Sequence, residues 1–341
     1  MLGVVEITPL HWGGFIVCVL FFLALDLGVF HRQAHVVKFR EAMFWSTVWF
    51  ILSMGFAAAL VPWRGKTESL EFVTGYIIEL SLSMDNVFVI ALIFTYFRVP
   101  PQYQHRVLFW GILGALIMRG VMIAAGAALI SKFMWTLYLF GAFLVFTGVK
   151  MLFVSDDGVD PERNWVLRLA RRIFPVAAEF HGQKFAIKPA GVFTLTPLAL
   201  VLVVVETTDL VFAVDSIPAI FAVTQKPFIV FTSNVFAILG LRSLYFVLAG
   251  AIDYFRYLKV GLSFVLVFIG AKMLLDPHAA PPRWFQVDIP SSVSLLVVGA
   301  ILATAIALSI VAGKREQEAR TGNTERFPRA KDKPDGPDKP H

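Results

Sequence analysis

Long apolar stretches, separated by short polar segments, make up most of the sequence. A helix needs about 20 apolar residues to cross a hydrocarbon core of about 30 Å. Nine stretches have roughly this length, at residues 11–30, 43–63, 71–97, 107–130, 133–154, 195–223, 228–251, 257–275 and 291–312. The pattern therefore predicts an all-α, polytopic membrane protein with its transmembrane part over 1–312.

The composition agrees with a membrane protein and argues against a nucleic-acid-binding protein. Hydrophobic residues make up 57% of the chain and charged residues 16%, where a soluble chain has about 25% charged residues. The net charge of +6 would suit a nucleic-acid partner, but the basic residues collect in the loops and the tail. Membrane topology alone produces that distribution, so we expect membrane lipids and no nucleic acid around the chain. The single cysteine, Cys18, excludes a disulfide framework.

The loop charges predict the orientation. With the N-terminus outside, the loop at 155–190 and the other basic loops lie in the cytoplasm, so the chain is N-out and C-in. Within that loop, apolar and basic residues alternate at helical spacing over 165–174, which predicts an amphipathic helix on the cytoplasmic leaflet. The alternative is an ordinary solvated loop helix. The charged, proline-rich tail at 313–341 is predicted to be disordered and cytoplasmic.

Spans three to five and six to eight form an internal repeat, with units at about 71–154 and 195–275. The clearest match is Phe146-Thr-Gly-Val-Lys150-Met-Leu with Phe268-Ile-Gly-Ala-Lys272-Met-Leu. Three spans are an odd number, so the two units must cross the membrane in opposite directions. Inverted repeats of this kind are a recurrent plan of secondary transporters, with the substrate near the midplane.

Each repeat unit carries, within its first span, a pair of acids six residues apart. An ionisable residue at the bilayer centre costs about 2.5–3.5 kcal/mol on insertion scales, so such residues usually serve a function. Both copies place an acid six residues before an Asp that a small polar residue follows; the motif residues are Glu79, Asp85 and Asn86, and Asp209, Asp215 and Ser216. This pairing favours a cation pathway. The alternative is a set of buried acids neutralised by protonation or by basic partners.

Helix geometry leaves two arrangements open for the paired acids. Six residues turn a helix by about 600°, which leaves the two side chains about 120° apart and about 9 Å apart along the axis. The two acids therefore serve two sites, or the helix is broken between them. Pro218 predicts a break in the second copy, because it cannot donate to the carbonyl of Val214. Glu206 and Asp209 are three residues apart and share a face.

A charge count indicates the kind of ligand. The embedded acids are Asp26, Glu79, Asp85, Glu206, Asp209 and Asp215, and the embedded bases are Arg119, Lys150, Arg242 and Lys272. The two excess negative charges suit one divalent cation, with the bases as charge-compensating groups. No His or Cys accompanies the acids. Carboxylate, amide and carbonyl oxygens select hard ions, which are Mn²⁺, Ca²⁺ and Mg²⁺.

The two motifs also resemble a known family. Glu79-Leu-Ser-Leu-Ser-Met-Asp85-Asn86 and Asp209-Leu-Val-Phe-Ala-Val-Asp215-Ser216-Ile-Pro-Ala are similar to the paired signature of the TerC/Alx family of bacterial integral membrane proteins. The resemblance runs over about 10–312. It implies a multi-pass protein of the bacterial inner membrane, export of Mn²⁺ in one branch of the family and a link to tellurite resistance in the other.

These observations together predict a secondary transporter that exports a hard divalent cation, most of all Mn²⁺, with protons as the driving ion. The divalent ion is the substrate, and we expect no resident cofactor. The sequence contains no nucleotide-binding loop or catalytic triad, so we do not expect an enzyme. Two alternatives remain open: an exporter of oxyanions of the tellurite type that binds its substrate with Arg119 and Arg242, and a membrane scaffold without transport activity.

Overall fold

Helices account for most of the chain. The computed structural model describes residues 7–25, 39–153, 164–249, 257–276, 286–287 and 289–326. The helices within these ranges are α1 (Pro9–Leu25), α2 (Phe39–Arg64), α3 (Lys66–Tyr96), α4 (Pro101–Lys132), α5 (Thr136–Phe153), α6 (Trp165–Ile173), α7 (Pro197–Phe221), α8 (Pro227–Ala249), α9 (Leu258–Leu275) and α10 (Ser291–Arg326). Two short antiparallel strands, β1 (Ala186–Ile187) and β2 (Thr194–Leu195), and a 3₁₀ turn at Pro189–Gly191 lie between α6 and α7.

Eight of the helices in the described ranges are long and apolar enough to cross a membrane: all except α1 and α6. The predicted all-α, polytopic architecture is therefore confirmed. The first predicted span, 11–30, corresponds to α1, a helix of 17 residues, and its last residues lie outside the described ranges. Residues 154–163, at the start of the predicted cytoplasmic loop, also lie outside them.

The contacts between helices follow the internal repeat. In the two units, α3, α4 and α5 correspond to α7, α8 and α9. Each helix contacts its own counterpart, and the contact between α3 and α8 is matched by the contact between α4 and α7. Two units related by a two-fold axis would make this set of contacts. Helix α2 packs on α3 and α8, and α10 packs on α3 and α9, outside the repeat.

Small residues allow α5 and α9 to approach closely at two equivalent points. A Cβ atom on Gly270 would lie 2.7 Å from the carbonyl oxygen of Gly141, and one on Gly148 would lie 2.8 Å from that of Ser263. Aligning Lys150 with Lys272 also aligns Gly148 with Gly270 and Gly141 with Ser263. The two close approaches are therefore the same contact made once from each repeat unit. Small residues are the usual means of close helix contact in membranes.

The predicted break at Pro218 is wrong. Helix α7 is a continuous α-helix from Pro197 to Phe221, with Pro218 inside it, and α3 is continuous as well. The buried proline lies in the last turn of α7. Pro218 cannot donate to the carbonyl of Val214, but this missing hydrogen bond does not end the helix, which continues to Phe221. The acids of each motif are thus carried by one unbroken helix.

Helix α6 forms where the sequence predicts an amphipathic helix, and it packs against α7. Asn164 caps it by accepting hydrogen bonds from the amides of Val166 and Leu167, and donates to Thr207, ten residues into α7, at 2.7 Å. Beyond the other end of α6, the carbonyl of Pro175 accepts from the amide of Leu195 at 2.9 Å. Helix α6 therefore runs antiparallel along the first half of α7, while its position on the cytoplasmic leaflet stays a prediction.

The end of the chain also differs from the prediction. Helix α10 continues to Arg326, so residues 313–326 are helical where the sequence predicts disorder from 313 onwards. This part of the tail contains Lys, Arg, Glu, Gln and Ala, which are good helix formers, and it extends a helix that is already nucleated. Residues 327–341 lie outside the described ranges.

Candidate functional site

The motif acids occupy two separate places, both at the interface between the repeat units. Glu79 and Asp209 meet the guanidinium of Arg119, whereas Asp85 and Asp215 line a cavity. This is the first of the two arrangements that helix geometry left open. Because α3 and α7 are continuous, residues six apart point in different directions, and each motif contributes one acid to each place.

Arg119 of α4 occupies the first place and is only 2% exposed. Its guanidinium donates hydrogen bonds to Glu79 and to both oxygens of Asp209, at 3.0 and 3.4 Å. It also donates to Ser216 Oγ and to Asn234 Oδ1, both at 3.2 Å. Four helices, α3, α4, α7 and α8, are thus joined through one side chain.

The remaining hydrogen bonds of this cluster hold its carboxylates in place. Asn234 donates through Nδ2 to Glu79 Oε2 at 3.2 Å, and Ser83 donates to Glu79 Oε1 at 3.4 Å. Glu79, Ser83 and Asn234 are all buried. A buried charge is tolerated when it is paired and hydrogen-bonded, and every partner named here contributes to that.

The second place is a cavity of about 230 Å³. It is lined by α3, α5, α7 and α9, and Asp85 and Asp215 face it from the two equivalent spans. The other lining residues are Leu82, Asn86, Thr147, Lys150, Met151, Phe212, Ser216, Lys259, Leu262 and Leu266. Thr147 hydrogen-bonds the carboxylate of Asp215, with Lys150 nearby. Ser216 lines the cavity and also binds Arg119, so the two places share this residue.

The other candidate residues lie apart from the cavity. Glu206 packs its carboxylate against Gly114 of α4, where an added Cβ atom would clash with Glu206 Oε1. Arg242 is buried and lines a small cavity of about 20 Å³ together with Asp209. Lys272 is buried, with its Nζ 3.9 Å from Asp276 Oδ2. Asp26 lies outside the described ranges. The structure therefore brings Asp85, Asn86, Asp215, Ser216 and Lys150 together, but not Glu206 or Lys272.

Sequence reasoning missed several residues that these two places use. Asn234 follows Thr232 and Ser233 in the middle of an apolar span, and this run of three polar residues is a signal that the sequence offers. The sequence signal for Lys259 is weaker, because it lies at the start of a predicted span and resembles the lysines that commonly flank membrane spans. Thr147 has none, because a Thr in an apolar helix more often bonds its own backbone.

A further polar cluster, also missed, closes the end of the bundle where α3 begins. Glu71 accepts hydrogen bonds from Thr224 at 2.8 Å and from Lys226 at 3.1 Å. Lys226 lies 3.4 Å from Glu68, which in turn pairs with Arg64 at 2.6 Å. The cluster fastens the turn between α7 and α8 to the start of α3.

The cavity can bind a cation through oxygen atoms. It presents two carboxylates, an amide and two hydroxyl groups, which suit hard ions. Among the described residues, no three His, Cys, Asp or Glu side chains converge as a ready-made metal cage. A cation held here would complete its coordination with water, as Mg²⁺ commonly does in proteins.

The fold and this site define the class of the protein. It is a multi-pass integral membrane protein with eight candidate spans in the described residues, a buried arginine–carboxylate cluster and a polar cavity between two repeat units. The sequence profile of the integral membrane protein TerC family matches residues 64–317. The chain belongs to the TerC family.

Similar proteins occur in several bacteria. An uncharacterized membrane protein of Myxococcus xanthus is 52% identical over 305 residues, which are 89% of this chain and 93% of that protein. The putative membrane-bound redox modulator Alx of Escherichia coli is 46% identical over 324 residues, 92% of this chain and 98% of Alx. An uncharacterized membrane protein of Rickettsia felis is 39% identical over 302 residues, 89% of this chain and 98% of that protein. No solved structure matches this chain.

Proposed function

We propose that this protein exports a hard divalent cation, Mn²⁺ above all, across the bacterial inner membrane as a proton-coupled secondary transporter. The observation that carries the proposal is the meeting of Asp85 and Asp215 in one cavity. They come from equivalent positions of two repeat units, and inverted-repeat transporters place their substrate at that interface. Asn86 and Ser216, which follow them in the two motifs, line the same cavity.

The size of the cavity suits a hydrated ion. A water molecule takes up about 30 Å³ in the liquid, so six waters around an ion need about 180 Å³. The cavity volume of about 230 Å³ is larger than this. A divalent cation can therefore enter with most of its water, and exchange one or two waters for the carboxylates of Asp85 and Asp215.

The position of Arg119 argues against the oxyanion alternative. Its guanidinium already binds the buried Glu79 and the partly buried Asp209, and an anion would have to displace these two carboxylates. The name redox modulator, given to the Alx relatives, suggests another role. Thiol–disulfide exchange within one chain needs two cysteines, and this chain has only Cys18. The cation proposal has the more specific support.

Replacing the cavity aspartates tests the proposal. Asp85→Asn and Asp215→Asn keep the side-chain size and remove one negative charge each, so folding should persist while Mn²⁺ flux falls to a few per cent of the parent. The measurement is uptake of Mn²⁺, Ca²⁺ and Mg²⁺ into proteoliposomes, with and without a proton gradient. Glu179→Gln, at an exposed position between α6 and β1, is the control and should transport like the parent.

Two results would contradict the proposal. Asn variants that fold and carry parental flux would show that the aspartates are structural. A parent protein that moves none of the three ions in either direction would exclude divalent transport. Lowering the pH should weaken metal binding in the parent, because protons compete with the metal for the carboxylates.

A further inference from the structure

The cavity contains as many basic as acidic side chains. Lys150 and Lys259 line it together with Asp85 and Asp215. Lys150 lies in the last turn of α5 and Lys259 in the first turn of α9. These two helix ends are neighbours, because α5 and α9 run antiparallel: Gly148 contacts Ser263, and Gly141 contacts Gly270. The two lysines therefore lie at the same end of the cavity.

The repeat symmetry does not explain why either lysine lies at the cavity. Lys272, the counterpart of Lys150, is buried and lies near Asp276, four residues further along its own helix. Four residues after Lys150 the sequence has Val154, so α5 does not provide the matching acid. The counterpart of Lys259 is Leu137, which is fully buried in the core. The two units thus differ at both positions, and both differences add positive charge to the cavity.

This charge affects any cation that binds. The two carboxylates and two ammonium groups sum to zero, so a divalent ion added to them leaves two positive charges in surroundings of low dielectric constant. Like charges repel more strongly in such surroundings than in water, so the lysines oppose binding of the ion. The lysines can avoid this cost by moving away, since Lys150 is exposed and Lys259 half-buried, and long lysine stems readily carry their ammonium groups toward water.

We propose that Lys150 and Lys259 are built-in counter-ions, which neutralise Asp85 and Asp215 while the cavity is empty and which the transported cation displaces. The inference rests on the proposed function and adds a role for these residues. When the cation leaves, the lysines return to the aspartates. They therefore weaken cation binding and speed cation release, which an exporter needs in order to discharge its substrate.

Charge removal at the two lysines tests this role. Lys150→Gln and Lys259→Gln remove the charge, and Lys150→Arg and Lys259→Arg keep it. Mn²⁺ binding is measured on the full chain in detergent from the electron paramagnetic resonance signal of free Mn²⁺, and flux in proteoliposomes. Each Gln variant should bind Mn²⁺ about tenfold more tightly, with a lower KM and a lower maximal rate. The Arg variants and the exposed control Lys132→Gln should stay within about twofold of the parent.

The outcomes separate this inference from the proposed function. If the parent binds Mn²⁺ and the Gln variants bind it equally or more weakly, the counter-ion role is wrong and the cation proposal stands. If the parent binds no Mn²⁺, Ca²⁺ or Mg²⁺, both are wrong. Should a Gln variant not fold, Lys150→Met and Lys259→Met keep the apolar stem and provide the same comparison. A purely structural role would not lower KM and maximal rate together.

Discussion

Arg119 joins the helices at the centre of the bundle through its hydrogen bonds. It is buried between Glu79, Asp209, Ser216 and Asn234, which come from three different helices. The sequence identifies Arg119 as one of four embedded bases but cannot say which acid each base meets. That choice depends on the distance between helices that are far apart in the chain.

Removing the charge of Arg119 should destabilise the protein. Arg119→Met leaves the buried Glu79 and the partly buried Asp209 without their cation, and breaking a buried ion pair costs about 3–5 kcal/mol. We expect a lower yield and a lower melting temperature in detergent. Lys132→Met, at the exposed end of α4, should have neither effect.

A compensated variant separates stability from transport. In Arg119→Met combined with Glu79→Gln and Asp209→Asn, no charge remains in the cluster, and an uncharged replacement of a buried ion pair is often neutral for stability. The melting temperature should recover by more than half of the loss. A single Arg119→Met variant that melts like the parent would show that the cluster does not stabilise the fold.

At the scale of elements, α5 and α9 approach each other closely across the two repeat units. Gly148 and Gly270 make it possible from equivalent positions. Gly148 and Gly270 also belong to the sequence match that reveals the repeat. The repeat therefore retains the glycines that the close contact between α5 and α9 requires. Sequence periodicity could not show which helix each glycine faces.

Adding a methyl group at this crossing should separate the two helices. In Gly270→Ala the new Cβ would lie within 3.0 Å of Gly141 O, Val145 N and Leu144 Cβ, so the backbones must move apart. Overpacking of this kind costs about 1–3 kcal/mol. Gly148→Ala should have a similar effect, because it is the equivalent position.

The matched control lies in α10. A Cβ on Gly299 would meet nothing within 4 Å, and Gly299→Ala should be neutral or stabilising because Ala favours helices by about 1 kcal/mol over Gly. Melting temperatures of the three variants in detergent are compared. If Gly270→Ala and Gly299→Ala melt alike, the close approach of α5 and α9 does not exist in solution.

At the scale of the whole molecule, the two ends of the repeat core are closed in different ways. Where α3 begins, Glu71 binds Thr224 and Lys226 of the turn between α7 and α8. At the equivalent junction of the other end, Val99 is buried in the same hydrophobic cluster as Leu198 and Val201. The repeat therefore specifies the shape of both junctions but not their chemistry.

The predicted orientation places these ends on opposite sides of the membrane. With the N-terminus outside, the ends of α5 and α9 that carry Lys150 and Lys259 are cytoplasmic, and the cluster around Glu71 is external. This remains a prediction of the loop charges. It agrees with an exporter whose cavity is loaded from the cytoplasm.

Labelling of single cysteines tests the orientation. In a chain with Cys18→Ser, Lys132→Cys should react with a membrane-impermeant maleimide in intact cells, and Glu179→Cys only after lysis. Both positions are exposed, so a lack of reaction would not come from burial. Reporter fusions at Gly313 should be active only in the cytoplasm. Labelling in the reverse pattern, or a fusion active only in the periplasm, would contradict the N-out, C-in prediction.

The sequence by itself determined the spans, the repeat and the positions of the motif acids. A membrane-spanning helix can be recognised from one stretch of sequence, because nearly all of its residues must be apolar and each polar residue among them needs an explanation. The spacing of Glu79 and Asp85 also limited the acids to two arrangements. These features depend on neighbours along the chain, and the pattern of hydrophobic and ionisable residues contains that information.

Only the tertiary structure decided which of these residues meet. It kept α7 continuous through Pro218, placed α6 along α7, and assigned Arg119 to Glu79 and Asp209. It also brought Lys259 to the cavity and left Lys272 near Asp276. Side-chain pairing in this protein depends on the distance and facing of helices whose paired residues lie 40 to 155 positions apart in the chain. Long side chains such as lysine can point either way from a helix end, so the packing of the neighbouring helices selects their direction.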